Sequence, residues 1–198
     1  MGQITTAIKS KGTGKCLEVQ INGRTFELPF KLIGGREVAF LDISGQVSLV
    51  ESCADMLAEK IMESEIEFDT ILNPVSKSNA LAHAVAVRLM EKIKADLSHT
   101  VVARKAKPGE SHAVEASYHS VTTSGDQVMY LTDDDVVYIK GKKILLIDDV
   151  FGQGGTTKGL TNLCDKAGAT ITGQAVVAVE GSNGFPESLI YLFRLPVL

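Results

Sequence analysis

The sequence contains no tryptophan, only three cysteines and no apolar run long enough to cross a bilayer, and each shortage closes off a class of protein. Cys16, Cys53 and Cys164 are odd in number and far apart, which excludes a disulfide framework or a cysteine zinc site and leaves reduced packing residues. His83, His99, His112 and His119 show no metal-ligand spacing. The opening stretch MGQITTAIKSKGTGK lacks the apolar core of a signal peptide, so a cytoplasmic location and no membrane partner are expected. Gly2 and Thr6 fit a loose myristoylation pattern, but no second anchoring signal accompanies it. Positive charge is also scarce: a net charge of -4 gives no general attraction for nucleic acid, and any bound anion must be held locally.

What is present is ordinary globular composition, 44% hydrophobic and 22% charged over 198 residues, enough for one compact domain with a small appendage. Residues 16–30, CLEVQINGRTFELPF, alternate on both sides of Asn22-Gly23, which predicts a β-hairpin with a type I′ turn. Pro29 implies that the second arm is an edge strand or ends there. EVAFLDIS then reads as a strand leading into a helix from Ser48 to Glu63, where Leu49, Cys53, Met56, Leu57 and Ile61 recur at helical spacing. Phe68 to Leu72 reads as a buried strand and Ala80 to Lys94 as a second helix, joined by the loop NPVSKSN.

Thr100 to Ala103 is a short β-branched strand, followed by a polar stretch to about Thr123. Val128–Leu131 and Val136–Ile139 suggest a hairpin around Asp133-Asp134-Asp135. Lys143–Ile147 is a strand, Thr157–Ala167 a helix ended by Gly168, and Gln174–Val179 another strand. Strands alternating with helices imply an α/β fold, an open, mainly parallel twisted sheet with helices on both faces, plus the N-terminal β-hairpin. The expected division is an extension over residues 1–36 and a main domain over 37–198. Ligands of such sheets sit beyond the carboxyl ends of the strands, where both unusual loops, Asn73–Asn79 and Gly152–Thr156, fall.

The strongest signal is ILLIDDVFGQGGTTKG, Ile144 to Gly159. A glycine-rich turn entering a helix presents backbone N–H groups near the positive end of the helix dipole, a cradle for a phosphate dianion. Asp148 and Asp149 would repel that phosphate, so they must address another part of the ligand, and ribose hydroxyls, which donate hydrogen bonds, suit them. A Walker loop fails because Lys158 lies between Thr157 and Gly159, and a dinucleotide fingerprint would need glycine at Thr157.

Strand, paired acids and Gly-Gly-Thr together resemble the 5-phosphoribosyl 1-pyrophosphate (PRPP) site of the type I phosphoribosyltransferases, closest to the adenine and xanthine branches. The resemblance implies that Asp148 and Asp149 bind the ribose 2- and 3-hydroxyls and that Gly152, Gln153, Gly154, Gly155 and Thr156 hold the 5-phosphate. Gln153 stands where the family usually has threonine. FLDIS, Phe40 to Ser44, is similar to a segment of adenine phosphoribosyltransferases. NPVSKS occupies the place of the pyrophosphate loop, so Ser76, Lys77 and Ser78 would grip the leaving group and its Mg²⁺. Ala103-Arg104-Lys105 matches the basic start of the family's flexible loop, and SYHS, Ser117 to Ser120, its mobile part.

The implied reaction is displacement at the anomeric carbon of PRPP by the nitrogen of a free base, with release of pyrophosphate, in purine salvage. Lys77, Arg104 and Lys105 would stabilise the charge of the departing pyrophosphate; Mg²⁺ is the implied cofactor, reached through PRPP and possibly Asp148 and Asp149. Hypoxanthine-guanine enzymes carry aspartate at the position of Gly152, whereas a small residue resembles the adenine and xanthine branches. Adenine enzymes carry a glutamate after the Ser-Tyr segment, where this chain reads VTTSGD, flanked by Glu115 and Asp126. Phe185 is a candidate for stacking on the base or for packing, and His119 for proton transfer or simple exposure. The hairpin would form part of the hood over the base, and a homodimer is the family habit. The alternative is a PRPP-sensing regulator of the same fold without turnover; orotate as substrate is less favoured.

Overall fold

A computed structural model describes residues 3–12, 14–93, 96–107, 109, 114–119, 126–181 and 184–198. Its centre is a five-stranded parallel sheet in the order β11-β10-β9-β5-β6. These strands are β5 (Thr70–Pro74), β6 (Val101–Ala103), β9 (Lys143–Phe151), β10 (Thr170–Glu180) and β11 (Leu189–Leu195). Four strands precede them, β1 (Thr5–Lys11), β2 (Gly14–Ile21), β3 (Arg24–Ile33) and β4 (Arg36–Ala39), forming an antiparallel sheet in sequence order. A two-stranded ribbon, β7 (Val114–His119) with β8 (Asp126–Leu131), completes the strands, and the helices are α1 (Val47–Glu63), α2 (Asn79–Ile93), α3 (Asp133–Ile139) and α4 (Gly155–Ala167).

The apolar run of β9 explains the layering. Successive side chains of a strand point to opposite faces. Leu145 and Ile147 join Ile71, Val177 and the inner faces of α1 and α2 in one core, while Ile144 and Leu146 join Leu72, Val101, α4 and the β7-β8 ribbon in the other. Helices therefore cover both faces, as expected. Arg88 on α2 ties the two helices of the first face together through Glu51 and Asp55 on α1, its Nε 2.7 Å from Asp55 Oδ1. No described helix is long and apolar enough to cross a membrane.

The expected hairpin forms, with Asn22 at φ 50° and Gly23 at φ 74°, and belongs to the larger four-stranded sheet. Pro29 marks a change of partner rather than an end. β3 pairs with β2 from Arg24 to Pro29 and with β4 from Phe30 to Ile33, so the missing N–H falls where one ladder stops and the other starts. The C-terminal residues close onto β4, with Leu198 N donating to Glu37 O at 2.8 Å and Ala39 N to Pro196 O at 3.2 Å.

One expectation is overturned. Residues 128–139 are not a hairpin: β8 pairs with β7, and Asp133–Ile139 is helix α3. Thr132 caps it, accepting the Asp135 backbone N–H, while the Asp135 carboxylate accepts the Thr132 backbone N–H. This reciprocal cap satisfies helix-end donors that a tight acidic turn would have left to water. Smaller differences concern extents. Strand β4 stops at Ala39, so Phe40–Ser44 is irregular, and β5 begins at Thr70 rather than Phe68. The polar stretch before Thr123 contributes β7, and β1 and β11 were not anticipated.

Candidate functional site

Strand β9 runs out at Phe151, and the chain turns through Gly152–Gly154 into α4. Gly154 is the N-cap, at φ 78°, in the left-handed region that glycine tolerates; a Cβ there would also stand 3.3 Å from the Phe151 ring. Lys158 N donates to Gly154 O at 2.9 Å to begin the helical ladder, so the first N–H groups of α4 open into the cavity beyond the strand. Farther along α4, Thr157 Oγ1 receives Gln174 Nε2 from β10 at 2.9 Å. Gly159 lets α4 press on the β7-β8 ribbon: a Cβ would meet Met129 Cε at 2.7 Å and Tyr118 Cβ at 2.8 Å.

The cavity has a volume of about 260 Å³. Asp148 and Asp149 lie on its floor, Asp148 buried and Asp149 half-buried. Asp148 Oδ1 accepts the Asp149 backbone N–H at 2.8 Å. Burial, and then the adjacent Asp149 carboxylate, push the Asp148 carboxyl well above the ordinary range. A ligand that donates hydrogen bonds at this point would favour the ionised form.

The loop after β5 faces this pair. Asn73 Nδ2 donates to Asn79 Oδ1 at 2.9 Å, Ser78 Oγ to Pro74 O at 2.6 Å, and Val75 N to Ala103 O at 2.9 Å, which together fix the turn between β5 and α2. The Val75–Ser76 peptide is cis. Ser76, Lys77 and Ser78 all line the cavity, and Lys77 Nζ lies 4.0 Å from Asp149 Oδ2 and 4.8 Å from the centre of the Phe40 ring.

The structure thus brings Asp148, Asp149, Gly152, Gln153, Gly154, Gly155, Thr156, Ser76, Lys77, Ser78 and Lys105 to one cavity. Arg104 stands outside it. Its backbone exchanges hydrogen bonds with Tyr130 of β8, at 2.9 and 2.8 Å, and its guanidinium pairs with the Asp135 carboxylate in the cap of α3. Lys105, in the bend that follows, reaches the cavity while Arg104 turns away.

Phe185 packs edge-on against Phe151, ring centres 6.2 Å apart, with the Arg194 guanidinium over its other side; it backs the wall and does not line the cavity. His83 is exposed on α2, and His99 meets Tyr138 edge-on at 4.6 Å. His112, Ser120 and most of VTTSGD lie outside the described residues, as do the side chains of His119 and Asp126. Among the described residues no group of three His, Cys, Asp or Glu side chains could by itself hold a metal ion.

Sequence reasoning missed Phe40, Tyr118 and Glu180 as cavity residues. Glu180 was legible only as the end of a strand, although a carboxylate at the carboxyl end of a parallel strand is a signal in its own right. Its pKa is raised by burial and then by the Asp149 charge, against a lowering from Lys77.

Comparison with known proteins agrees with this geometry. The family model of the phosphoribosyl transferase domain matches residues 46–191. The chain is 29% identical over 172 residues to the purine biosynthesis transcriptional repressor PurR of Bacillus subtilis, covering 87% of this chain and 56% of that protein. It is 32% identical over 138 residues to an adenine phosphoribosyltransferase of Bifidobacterium longum, covering 66% and 63%. The chain therefore spans between half and two thirds of the length of these relatives.

Among solved structures, an adenine phosphoribosyltransferase of Giardia lamblia complexed with 9-deazaadenine superimposes with a TM-score of 0.62 at 15% identity, covering 96% of this chain and 93% of that one. The Trypanosoma brucei enzyme, in complex with AMP, pyrophosphate and ribose-5-phosphate, gives 0.59 at 20% identity, covering 77% and 67%. At these identities the likeness establishes the fold. With the domain model covering most of the chain and the paired acids and glycine loop seated at the same strand end, the chain belongs to the phosphoribosyltransferase family of type I fold.

Proposed function

We propose that the protein transfers the 5-phosphoribosyl group of PRPP to a purine base of adenine or xanthine type, releasing pyrophosphate, in nucleotide salvage. One observation carries this reading: an acid pair, a glycine loop at a helix N-terminus and a Ser-Lys-Ser loop open into one cavity from adjacent strands. These match the chemistry of a ribose diol, a 5-phosphate and a pyrophosphate. Asp148 and Asp149 accept the hydroxyls, the N–H groups of Gly152–Thr156 hold the phosphate, and Ser76 donates to the pyrophosphate, while Ser78, whose hydroxyl is bound to Pro74 O, fixes the loop that holds it.

Displacement at the anomeric carbon leaves negative charge on the pyrophosphate and positive character on the sugar. Lys77 and Lys105 face the first within the cavity, and Arg104 adds charge from beside it; the acid pair lies under the second. Two carboxylates can supply only part of an octahedral oxygen shell, a donor set that fits Mg²⁺ completed by ligand oxygens and water. Bound there, Mg²⁺ would neutralise and orient the pyrophosphate. Ile33 of the N-terminal sheet reaches the cavity wall, which supports residues 1–36 as part of the cover over the base, ahead of a main domain over 37–198. A cytoplasmic homodimer whose ligands are PRPP and a free base, without nucleic acid or membrane, belongs to the same reading.

A PRPP-sensing regulator is the second reading. It is favoured by the match to a purine repressor over 87% of the chain and by the pairing of Arg104 with Asp135 away from the cavity. The deciding experiment measures pyrophosphate release from PRPP and Mg²⁺ with a panel of purine and pyrimidine bases. Release with a purine supports transfer, whereas PRPP binding without release from any base supports the sensor. Asp149→Asn is expected to weaken PRPP binding with the fold intact; unchanged affinity would remove Asp149 from its assigned role.

A further inference from the structure

Glu180 closes the carboxyl end of β10, which lies beside β9 on the side away from β5. Besides the Asp148-Asp149 pair, it is the only acid among the described residues of the cavity wall. Its carboxylate leans over Gly152: a Cβ built on that glycine would stand 3.2 Å from Glu180 Oε2 and 3.8 Å from its Cδ. The bare glycine thus lets the carboxylate approach more closely than a side chain there would. No donor among the described residues hydrogen-bonds to this carboxylate, although it is half-buried and its pKa is raised chiefly by burial. The carboxylate therefore keeps its acceptor capacity free on the cavity side, where a ligand can use it.

The strand order indicates which part of a ligand that would be. Substitution at a saturated carbon brings the incoming atom to the face opposite the leaving group. If the loop after β5 holds the pyrophosphate and β9 the sugar, the incoming base arrives on the far side of β9, where β10 ends. Phe151 and Phe40 contribute aromatic surface to the same cavity, a fitting wall for a flat heterocycle.

We propose that Glu180 is the base-reading residue of this site: it accepts a hydrogen bond from an N–H of the incoming base, and Gly152 is small so that it can. The proposal rests on the transfer reading for its geometry. It selects bases that present an N–H donor to the β10 side, and it disfavours bases whose edge there carries only acceptors or a methyl group.

The test uses Glu180→Gln and Gly152→Ala, the second displacing the carboxylate without removing it. Steady-state pyrophosphate release with adenine, 7-methyladenine, xanthine and 7-methylxanthine gives KM and kcat, and calorimetry gives affinity for PRPP. Both variants should raise the KM for the preferred base by roughly 10- to 100-fold, the loss of one charge-assisted hydrogen bond, and shrink the preference over its methylated analogue. PRPP affinity should stay within about twofold in Glu180→Gln, whereas the base KM of Gly152→Ala, which also alters the phosphate loop, is read against its own PRPP affinity.

A second arm titrates the same bases into protein saturated with ribose 5-phosphate, which has no leaving group, so that it reads base binding without turnover. Loss of base affinity in Glu180→Gln, with ribose 5-phosphate binding retained, supports the assignment even if no base releases pyrophosphate, an outcome that would sink the transfer reading alone. Base KM and base affinity both unchanged in Glu180→Gln overturn the proposal. So does a wild-type chain that binds ribose 5-phosphate but no base.

Discussion

Lys77 Nζ stands 4.0 Å from Asp149 Oδ2, linking the loop after β5 to the end of β9 across the mouth of the cavity. Lys77 keeps 39% of its side-chain exposure, so the contact is solvated and contributes little to folding. Its value lies in what it holds ready. A pyrophosphate placed between the loop and the strand would take the ammonium from Asp149 at small cost. Lys77→Ala should therefore weaken PRPP affinity by about 10-fold or more, the usual loss of a charged hydrogen bond, while Tm moves by no more than ~2 °C. Calorimetry and a thermal melt check the two halves.

Asp148 yields a prediction of opposite sign. Burial raises its pKa in the folded chain, so protonation favours folding; that contribution is complete below the unfolded value and is lost as pH rises through the folded one. Asp148→Asn keeps an acceptor for the Asp149 N–H and removes the buried charge. The ligand-free variant should melt higher than wild type at pH 8, with the gap narrowing toward pH 4, and should bind PRPP more weakly. A Tm gap independent of pH would count against the assignment.

Gly159→Ala should destabilise the chain despite the better helix propensity of alanine. The added methyl would meet Met129 Cε at 2.7 Å and Tyr118 Cβ at 2.8 Å, and Met129 is fully buried. Overpacking of this kind costs about 1–3 kcal/mol, against a propensity gain of at most ~1 kcal/mol. Chemical denaturation measures the net loss.

The Arg104-Asp135 pair is unequal. Asp135 is buried and also accepts from Thr132 N at 3.0 Å and Thr132 Oγ1 at 2.7 Å. Asp135→Ala removes the carboxylate half of the capping box together with the ion pair, leaving Thr132 as the cap, and should cost about 1–3 kcal/mol. Arg104→Ala leaves the cap standing and should cost less. Equal losses in denaturant would mean that the carboxylate half of the cap contributes nothing.

Cys53 and Cys164 are buried, and burial pushes both thiols up to about 12. Neither should react with a disulfide reagent at pH 8 in the native chain, and both should react promptly in denaturant.

The site was legible because most of it is contiguous. Strand, acid pair, glycine loop and helix follow one another from Ile144 to Ala167, and local rules for turns and helix N-termini suffice to join them. The same holds for the hairpin at Asn22-Gly23. Residues 128–139 misled because Val128–Leu131 and Val136–Ile139 look like mirror-image arms, while the decisive signal was Thr132 three residues before Asp135. The true partner of β8 is β7, the strand before it in sequence, whose polar residues gave no clear strand signal. The cavity position of Glu180 and the turn of Arg104 toward Asp135 were not legible for one reason: which wall a side chain faces depends on strand pairing, β10 with β9 for the first and the bridge of Arg104 to Tyr130 of β8 for the second.

Parallel strands stand roughly 4.8 Å apart, so the edge of the sheet works as a ruler for anything laid across it. From β10 to β6 is three intervals, about 14 Å. In the proposed transfer, the incoming base, the pentose and the departing pyrophosphate would lie side by side along these marks. On that reading, a longer or shorter partner would put its neighbour over the wrong mark, so the spacing of the strands would itself discriminate by length before any side chain is chosen.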